Sequence, residues 1–450
     1  MRRFIPGLVL VASIAAVLGA LFAFKPSVRA VAANSDERKV VIISPHSRPI
    51  QKEFERAFIE WHKRTYGEGA TIEWQDRGGT SGDERFIRNE FAVSPNGIGI
   101  DIFWGGGGEP YIRLAEKGVL ESFKLPEEIL RRIPPSIGGI PIYDPQYRWY
   151  GSALSAFGII YNRNRLRALG LPEPKTWEDL GGPGYYGVVG AADPRESGSA
   201  LAVVEVILQA YGWEKGYAVL MRTGGNVRTF TRAAGEIPKN VALGEYAAGL
   251  AIDFYARTQM MEDKKNLGLT LPAGLTPLTP DSIAILKGAP HAVAAHRFVT
   301  FVMSEEGQRL WVLPKGAPGG PVETELLRIP AVPDVYLRHA AVSNVLFDPA
   351  WMKATFNYDP GKAAARRDAL KDLYAAVLIE LRSEVRDAWQ AIVGRGLRDS
   401  EVRQFCAPPV TEQELADLSQ KRWSDSAFRN AKITEWTNQA RDRYKALAGK

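Results

Sequence analysis

Residues 100–123 read IDIFWGGGGEPYIRLAEKGVLESF, and this stretch decides the fold. Ile100 to Trp104 is a short apolar run of the kind that fills a strand covered on both faces. Gly105, Gly106, Gly107 and Gly108 follow, and Glu109 opens a stretch with helical spacing of its apolar residues. Gly118 stands where a left-handed residue closes a helix. Two earlier segments repeat the unit. Val40 to Ser44 leads through Pro45-His46-Ser47 into a helix with Ile50, Phe54, Phe58 and Trp61 on one face, and Thr71 to Trp74 leads to Gly78-Gly79-Thr80-Ser81-Gly82. Three rounds of strand, small-residue loop and helix predict a layered α/β domain. Helix N-termini present unpaired N–H groups and a positive dipole end, and Gly/Ser loops allow close approach to them. The pattern therefore points to a small molecule gripped at the carboxyl ends of parallel strands.

The first residues read as an address. Met1-Arg2-Arg3 precedes an apolar stretch from Phe4 to Phe24, and Ala30-Val31-Ala32 supplies small residues for cleavage. This is the order of an export signal over residues 1–32. The alternative is an uncleaved N-terminal anchor, since the apolar part is long. Arg2-Arg3 lacks the flanks of a twin-arginine signal, and no Cys follows for lipid attachment. No later stretch is apolar enough to span a bilayer. The expected location is periplasmic or extracytoplasmic.

The 450-residue chain leaves ample length after that signal for two domains with separate cores. The single Cys406 forms no internal disulfide, leaves the redox compartment undecided and excludes a thiolate metal cluster. The net charge of +6 is mild and not gathered in basic runs, which argues against nucleic acid as a partner.

Further along, Pro126 to Tyr150 is dense in Pro and Gly and reads as surface loop. Ser155 to Asn162 and Tyr186 to Ala191 read as buried strands, the second ending in Asp193-Pro194-Arg195-Glu196-Ser197-Gly198-Ser199 before a helix. Thr229 to Arg232, Ala248 to Phe254 and Asp281 to Leu286 read as further strands. From about Asp334 the pattern changes. Leu370, Leu373, Tyr374, Val377, Leu381, Val385, Trp389 and Ile392 hold helical spacing, Thr411 and Glu414 form a capping box, and Phe428, Trp436, Tyr444 and Leu447 suggest another helix. This tail is expected to pack against the first α/β block, or to offer a docking surface to a membrane component or sensor.

The segments VVIISPHS, IDIFWGGGGEPYIRLAEKGVLESF, FGIIYNRNRL, ADPRESGSAL, VALGEYAAGLAIDFYA and ILKGAPHAVAAHRFVTFVMSEEGQ occur in this order between Val40 and Gln308. In this the chain resembles the periplasmic substrate-binding proteins of ABC importers, extracellular solute-binding protein family 1, in the branch that includes ferric-ion binders. The resemblance implies a type II periplasmic-binding-protein fold, with two lobes joined by two crossing strands, here Ser155–Asn162 and Asp281–Leu286. Together with the N-terminal segment and the tail read from the residues, it divides the chain into a signal or anchor (1–32), lobe one (36–154 and 271–333), lobe two (155–270) and an α-helical C-terminal extension (334–450), on which the resemblance itself is silent. It also implies hinge closure on a ligand, a partner permease and a monomer.

In ferric-binding members a histidine at the place of His46 ligates iron, together with adjacent tyrosines and a glutamate. Here the tyrosine pair reads Phe254-Tyr255, and Glu109 lies late in the glycine loop. Ferric iron needs several anionic oxygens, so iron through His46, Glu109 and Tyr255 stands as the alternative, with Asp253 as a substitute ligand. The favoured ligand is an anionic or oxygen-rich organic solute. Lobe one would offer His46, Ser47, Thr80, Ser81 and the backbone of Gly106 and Gly107. Lobe two would offer Arg195, Ser197, Ser199, Arg232, Asp253 and Tyr255. Arginine suits this task through its two-pronged grip on carboxylate or phosphonate. No cofactor is expected.

An enzyme is not expected. GGGG lacks the Lys-Ser/Thr of a phosphate-binding loop, and G-x-S-x-G and H-E-x-x-H are both missing. A third reading is a membrane-tethered ligand sensor or scaffold that uses an uncleaved N-terminal helix and the helical tail.

Overall fold

A computed structural model describes residues 38–345 and 356–449. The N-terminal signal or anchor reading falls outside these residues. Among the described residues the strands are β1 (Lys39–Ile43), β2 (Thr71–Gln75), β3 (Ile102–Trp104), β4 (Ser136–Ile137), β5 (Ile140–Pro141), β6 (Tyr150–Ser155), β7 (Phe157–Asn162), β8 (Val189–Ala192), β9 (Val227–Thr231), β10 (Ala248–Ile252), β11 (Leu267–Thr270), β12 (Thr279–Ile285) and β13 (Ile329–Pro330). They build a six-stranded sheet in the order β13-β6-β12-β3-β1-β2 and a five-stranded sheet in the order β11-β7-β10-β8-β9, with β4 and β5 as a separate pair.

The first sheet follows from the strand–loop–helix repeat. β1 lies between β2 and β3, parallel to both. Its side chains alternate between two cores, as the two-residue period of a strand requires. Val40 and Ile42 join one core with Phe54, Phe58 and Phe298, whereas Val41 and Ile43 join another with Ile87, Phe91 and Tyr111. β3 is sorted likewise, with Ile102 and Trp104 on one side and Phe103 on the other. Helices Arg48–Tyr66 and Ala292–Met303 cover the first face, and helices Gly79–Val93 and Gly108–Glu116 cover the second. β12 runs antiparallel to β3 and β6.

The chain leaves the first sheet at Ala156. β6 belongs to one sheet and β7, starting one residue later, to the other. It returns through residues 271–278, between β11 and β12. The second crossing thus precedes Asp281–Leu286, because β12 is already held on both sides within the first sheet. In the second sheet the strand expected over Ala248–Phe254 stops at Ile252, and Asp253 begins helix Asp253–Glu262. The backbone there needs a helix start beside the cleft, which the strand pattern did not reveal.

The expected packing on the first lobe holds for helix Pro333–His339, whose Val335 and Tyr336 join the first-lobe core, and in part for helix Pro360–Tyr374, which lies on helix Gly108–Glu116; the rest of the extension packs on the second lobe. Leu370, Leu373, Val377, Leu381, Val385, Trp389 and Ile392 share one core with Val204, Ile207, Leu220 and Met221 of that lobe. Gly225 permits the contact, since a Cβ built there would stand 2.6 Å from Cγ of Trp389. The Trp389 indole N–H donates to Oδ1 of Asn226 at 2.8 Å, and the buried Arg366 pairs with Glu205 at 2.6 Å. The long stripe is also not one helix. Helix Pro360–Tyr374 passes into a π-helical turn, Ala375–Ile379, and a new helix, Arg382–Gly394, follows. The wider π turn and the restart at Leu381 keep both Val377 and Leu381 buried. The capping box of Thr411 and Glu414 forms as its spacing suggests.

Candidate functional site

Between the two sheets lies a cavity of about 400 Å³. Three helix N-termini border it, those of Gly79–Val93, Gly108–Glu116 and Gly198–Tyr211, each following a strand of one lobe or the other. The glycine run shapes the first-lobe wall. Gly105 has φ 117° and Gly106 φ 90°, a region that side chains avoid. A Cβ on Gly105 would lie 3.1 Å from the His46 ring, and one on Gly106 would strike the Thr80 side chain. The run lets the β3 loop, the β1 loop and the helix at Gly79 meet without side chains in between.

The cavity floor is ionic. His46 Nε2 lies 2.8 Å from Oδ2 of Asp281, and Arg328 pairs with the same carboxylate oxygen. Arg328 also donates to Oγ of Ser155 at 3.0 Å, while its guanidinium stacks 4.1 Å over the ring of Phe254. Burial alone would raise the Asp281 carboxyl, but the charges and hydrogen bonds of Arg328 and His46 outweigh it and hold it down to about 2. On the roof, the Tyr358 hydroxyl donates to Oε1 of Glu109 at 2.8 Å. Burial and this carboxylate push the tyrosine hydroxyl well above its usual range. Asp76 accepts the amides of Gly78 and Gly79 at 2.9 and 3.0 Å, so one helix N-terminus already has a carboxylate cap.

Of the residues singled out in the sequence, His46, Thr80, Gly106, Gly107, Ser197, Ser199, Arg232 and Tyr255 line this cavity, as does Glu109. Ser47 does not; it precedes helix Arg48–Tyr66 and its carbonyl accepts the Gln51 amide. Ser81 sits behind Thr80, where its hydroxyl meets Arg367. Arg195 turns away to bind Asp193 and Glu380, which ties the second lobe to the extension. Asp253 is buried behind Phe254, facing Arg257, and burial raises its carboxyl above the usual range. Arg232 stands at the rim, 88% exposed and 3.7 Å from Glu196.

The proposed iron donors His46, Glu109 and Tyr255 all line the cavity, but the first two are engaged by other side chains. Among the described residues no group of three or more His, Cys, Asp or Glu is placed to hold a metal. His46 Nε2 is taken by Asp281, and Glu109 by Tyr358. Burial raises the Tyr255 hydroxyl despite the opposing charge of Arg328, which works against a phenolate. The Arg328 guanidinium, paired with Asp281, lies over Phe254 beside Tyr255.

Sequence reading missed Arg328, Asp281, Tyr358 and Arg367, which all line the cavity. Arg328 lies 282 positions from His46, and Tyr358 lies 249 from Glu109. No local signature marks them, because their role arises from chain return rather than spacing.

Residues 101–334 match the family described as bacterial extracellular solute-binding protein. The phosphoglycerate transport regulatory protein PgtC of Salmonella typhimurium is 34% identical over 158 residues, 35% of this chain and 39% of that protein. The match therefore spans well under half of that relative's length. Among solved structures, the periplasmic binding protein AfuA from Actinobacillus pleuropneumoniae, with fructose-6-phosphate bound, superposes with a TM-score of 0.62 at 22% identity, covering 76% of this chain and 98% of that one. Apo ferric ion-binding protein A of Pasteurella haemolytica superposes with a TM-score of 0.56 at 16% identity, covering 78% and 98%. These likenesses establish the two-lobe periplasmic-binding-protein fold.

Proposed function

The chain belongs to the bacterial extracellular solute-binding proteins, and we propose that it captures a small anionic organic solute between its lobes and hands it to an ABC importer. The observation that carries this reading is the cavity itself. It is bordered by three helix N-termini, and Arg232, Arg328 and Arg367 all reach it. Asp281 balances Arg328, Glu196 lies near Arg232, Asp76 caps the Gly78 and Gly79 amides and Glu109 accepts the Tyr358 hydroxyl, which leaves Arg367 and the start of helix Gly198–Tyr211 to meet an anion. The likeness to a phosphoglycerate transport regulatory protein and to a sugar-phosphate-bound binding protein supports an anionic solute. The chain performs capture by closure, without bond chemistry, as an exported monomer. His46 serves to fix Asp281 and Arg328 rather than to ligate iron.

The test is a thermal-shift and calorimetric screen of the purified protein against fructose 6-phosphate, a phosphoglycerate, small dicarboxylates and ferric citrate. A ligand that binds only the folded state raises the melting temperature according to its concentration relative to Kd. At least one organic anion is expected to do so, and ferric citrate is expected to leave the protein uncoloured. A wild-type protein that takes up ferric iron with a phenolate colour, and binds no organic anion, would overturn the reading.

A further inference from the structure

Arg367 comes from the C-terminal extension, outside the residues that match the family, yet it lines the cavity between the lobes. It is 7% exposed. Its neighbour Arg366 is fully paired, with Glu205 on one side and Glu412 on the other. Arg367 has no carboxylate partner among the described residues; its hydrogen bond is a long one, 3.5 Å, to Oγ of Ser81. Against burial, Arg367 lies near enough to Glu84 and Asp368 to help lower their carboxyls, but these pair with Arg113 and Lys371, and Glu109 on the same wall accepts the Tyr358 hydroxyl. A buried guanidinium with no direct ion-pair contact of its own is costly unless a ligand supplies one.

The surroundings are built to receive a negative group. Helices Gly79–Val93 and Gly198–Tyr211 begin here, one from each lobe. A Cβ placed on Gly198 would lie 3.3 Å from the Thr80 side chain and 3.8 Å from Nη2 of Arg367, so lobe one, lobe two and the extension meet at this point. Asp76 caps the first amides of helix Gly79–Val93, so the backbone N–H groups at the start of helix Gly198–Tyr211, the hydroxyls of Thr80 and Ser199, and a forked guanidinium are the donors that face the corner; together they match the several acceptor oxygens of a tetrahedral dianion better than a flat carboxylate.

Resting on the function proposed above, we infer that the extension completes the ligand site and that Arg367 holds the phosphate group of a small phosphomonoester. The solute class is then a phosphorylated polyol or hydroxy acid, with the phosphate at the Thr80–Gly198–Arg367 corner and the organic part toward His46 and Arg328.

The experiment compares fructose 6-phosphate and a phosphoglycerate with fructose and glycerate by calorimetry, on wild type, Arg367→Gln and Arg367→Lys. Wild type is expected to bind a phosphorylated probe and not its unphosphorylated counterpart. Arg367→Gln is expected to weaken that binding by roughly ten- to a hundred-fold, the range for one charged hydrogen bond. Arg367→Lys keeps the charge without the fork and is expected to fall between; it also serves if Arg367→Gln fails to fold. Equal affinity for the phosphorylated probe in wild type and a folded variant would overturn the role of Arg367 and leave the capture function standing. Binding of dicarboxylates alone would overturn the phosphomonoester and likewise leave that function standing. Binding of no organic anion would overturn both.

Discussion

Single residues in this protein divide between those that build the cleft and those that face it. Asp83 belongs to the builders. It lies in helix Gly79–Val93 and accepts the Arg77 amide at 2.6 Å, while its other oxygen has no partner among the described residues. Burial pushes its carboxyl up to about 7, with the Arg77 amide opposing. In the unfolded chain the same group ionises near its ordinary value of 3.8. Between these values the folded state holds the extra proton, so this contribution to stability is full below about pH 4 and is lost as pH rises through about 7. Asp83→Asn keeps the acceptor without the charge. Its melting temperature is expected to exceed that of wild type at pH 8 and to lose the advantage by pH 4. Parallel melting curves across that range would refute the assignment. Asp281 has the opposite sign: held down to about 2, it contributes stability above its unfolded value that is lost as pH falls toward 2.

At the scale of elements, the notable unit is the helical extension. Its stripes were legible because helical spacing of large apolar residues requires a partner surface. Which surface was not legible, since a stripe says only that it must be covered. Lobe two is chosen because its helix Trp213–Asn226 offers Gly224 and Gly225, which admit Leu378 and Trp389 at close range. Trp389 is wholly buried there and bonded to Asn226. Trp389→Ala is expected to cost about 3–5 kcal/mol in urea unfolding, through the cavity left and the stranded Asn226 oxygen. An unchanged urea midpoint would mean that the extension is an appendage and not part of the lobe-two core.

For the whole molecule, the extension bears on motion as well as stability. Helix Pro360–Tyr374 packs on helix Gly108–Glu116 of lobe one as well as on lobe two. Just before it, Tyr358 bonds Glu109 across the cleft. In a binder whose lobes close on a ligand, contacts that straddle the cleft must shift, and they then bias the equilibrium between open and closed states. Tyr358→Phe leaves the Glu109 carboxylate without that donor, at a cost of about 1–3 kcal/mol. Faster hydrogen exchange is expected in 108–116 and 360–374, with β1 unaffected; equal acceleration in β1 would indicate global destabilisation instead. The sequence by itself determined the two α/β blocks, the glycine loops, the helix starts and the helical tail, because strand alternation, helical spacing and caps are local properties. It also placed His46, Thr80, Ser197 and Tyr255 at strand and helix ends, and the structure has them lining the cavity between the sheets. Only the tertiary structure decided that Arg328 neutralises Asp281, that Arg195 faces the extension and that Arg367 enters the cleft. Those pairings join residues far apart in the chain, and the charge state of a buried group depends on which distant neighbours folding delivers to it.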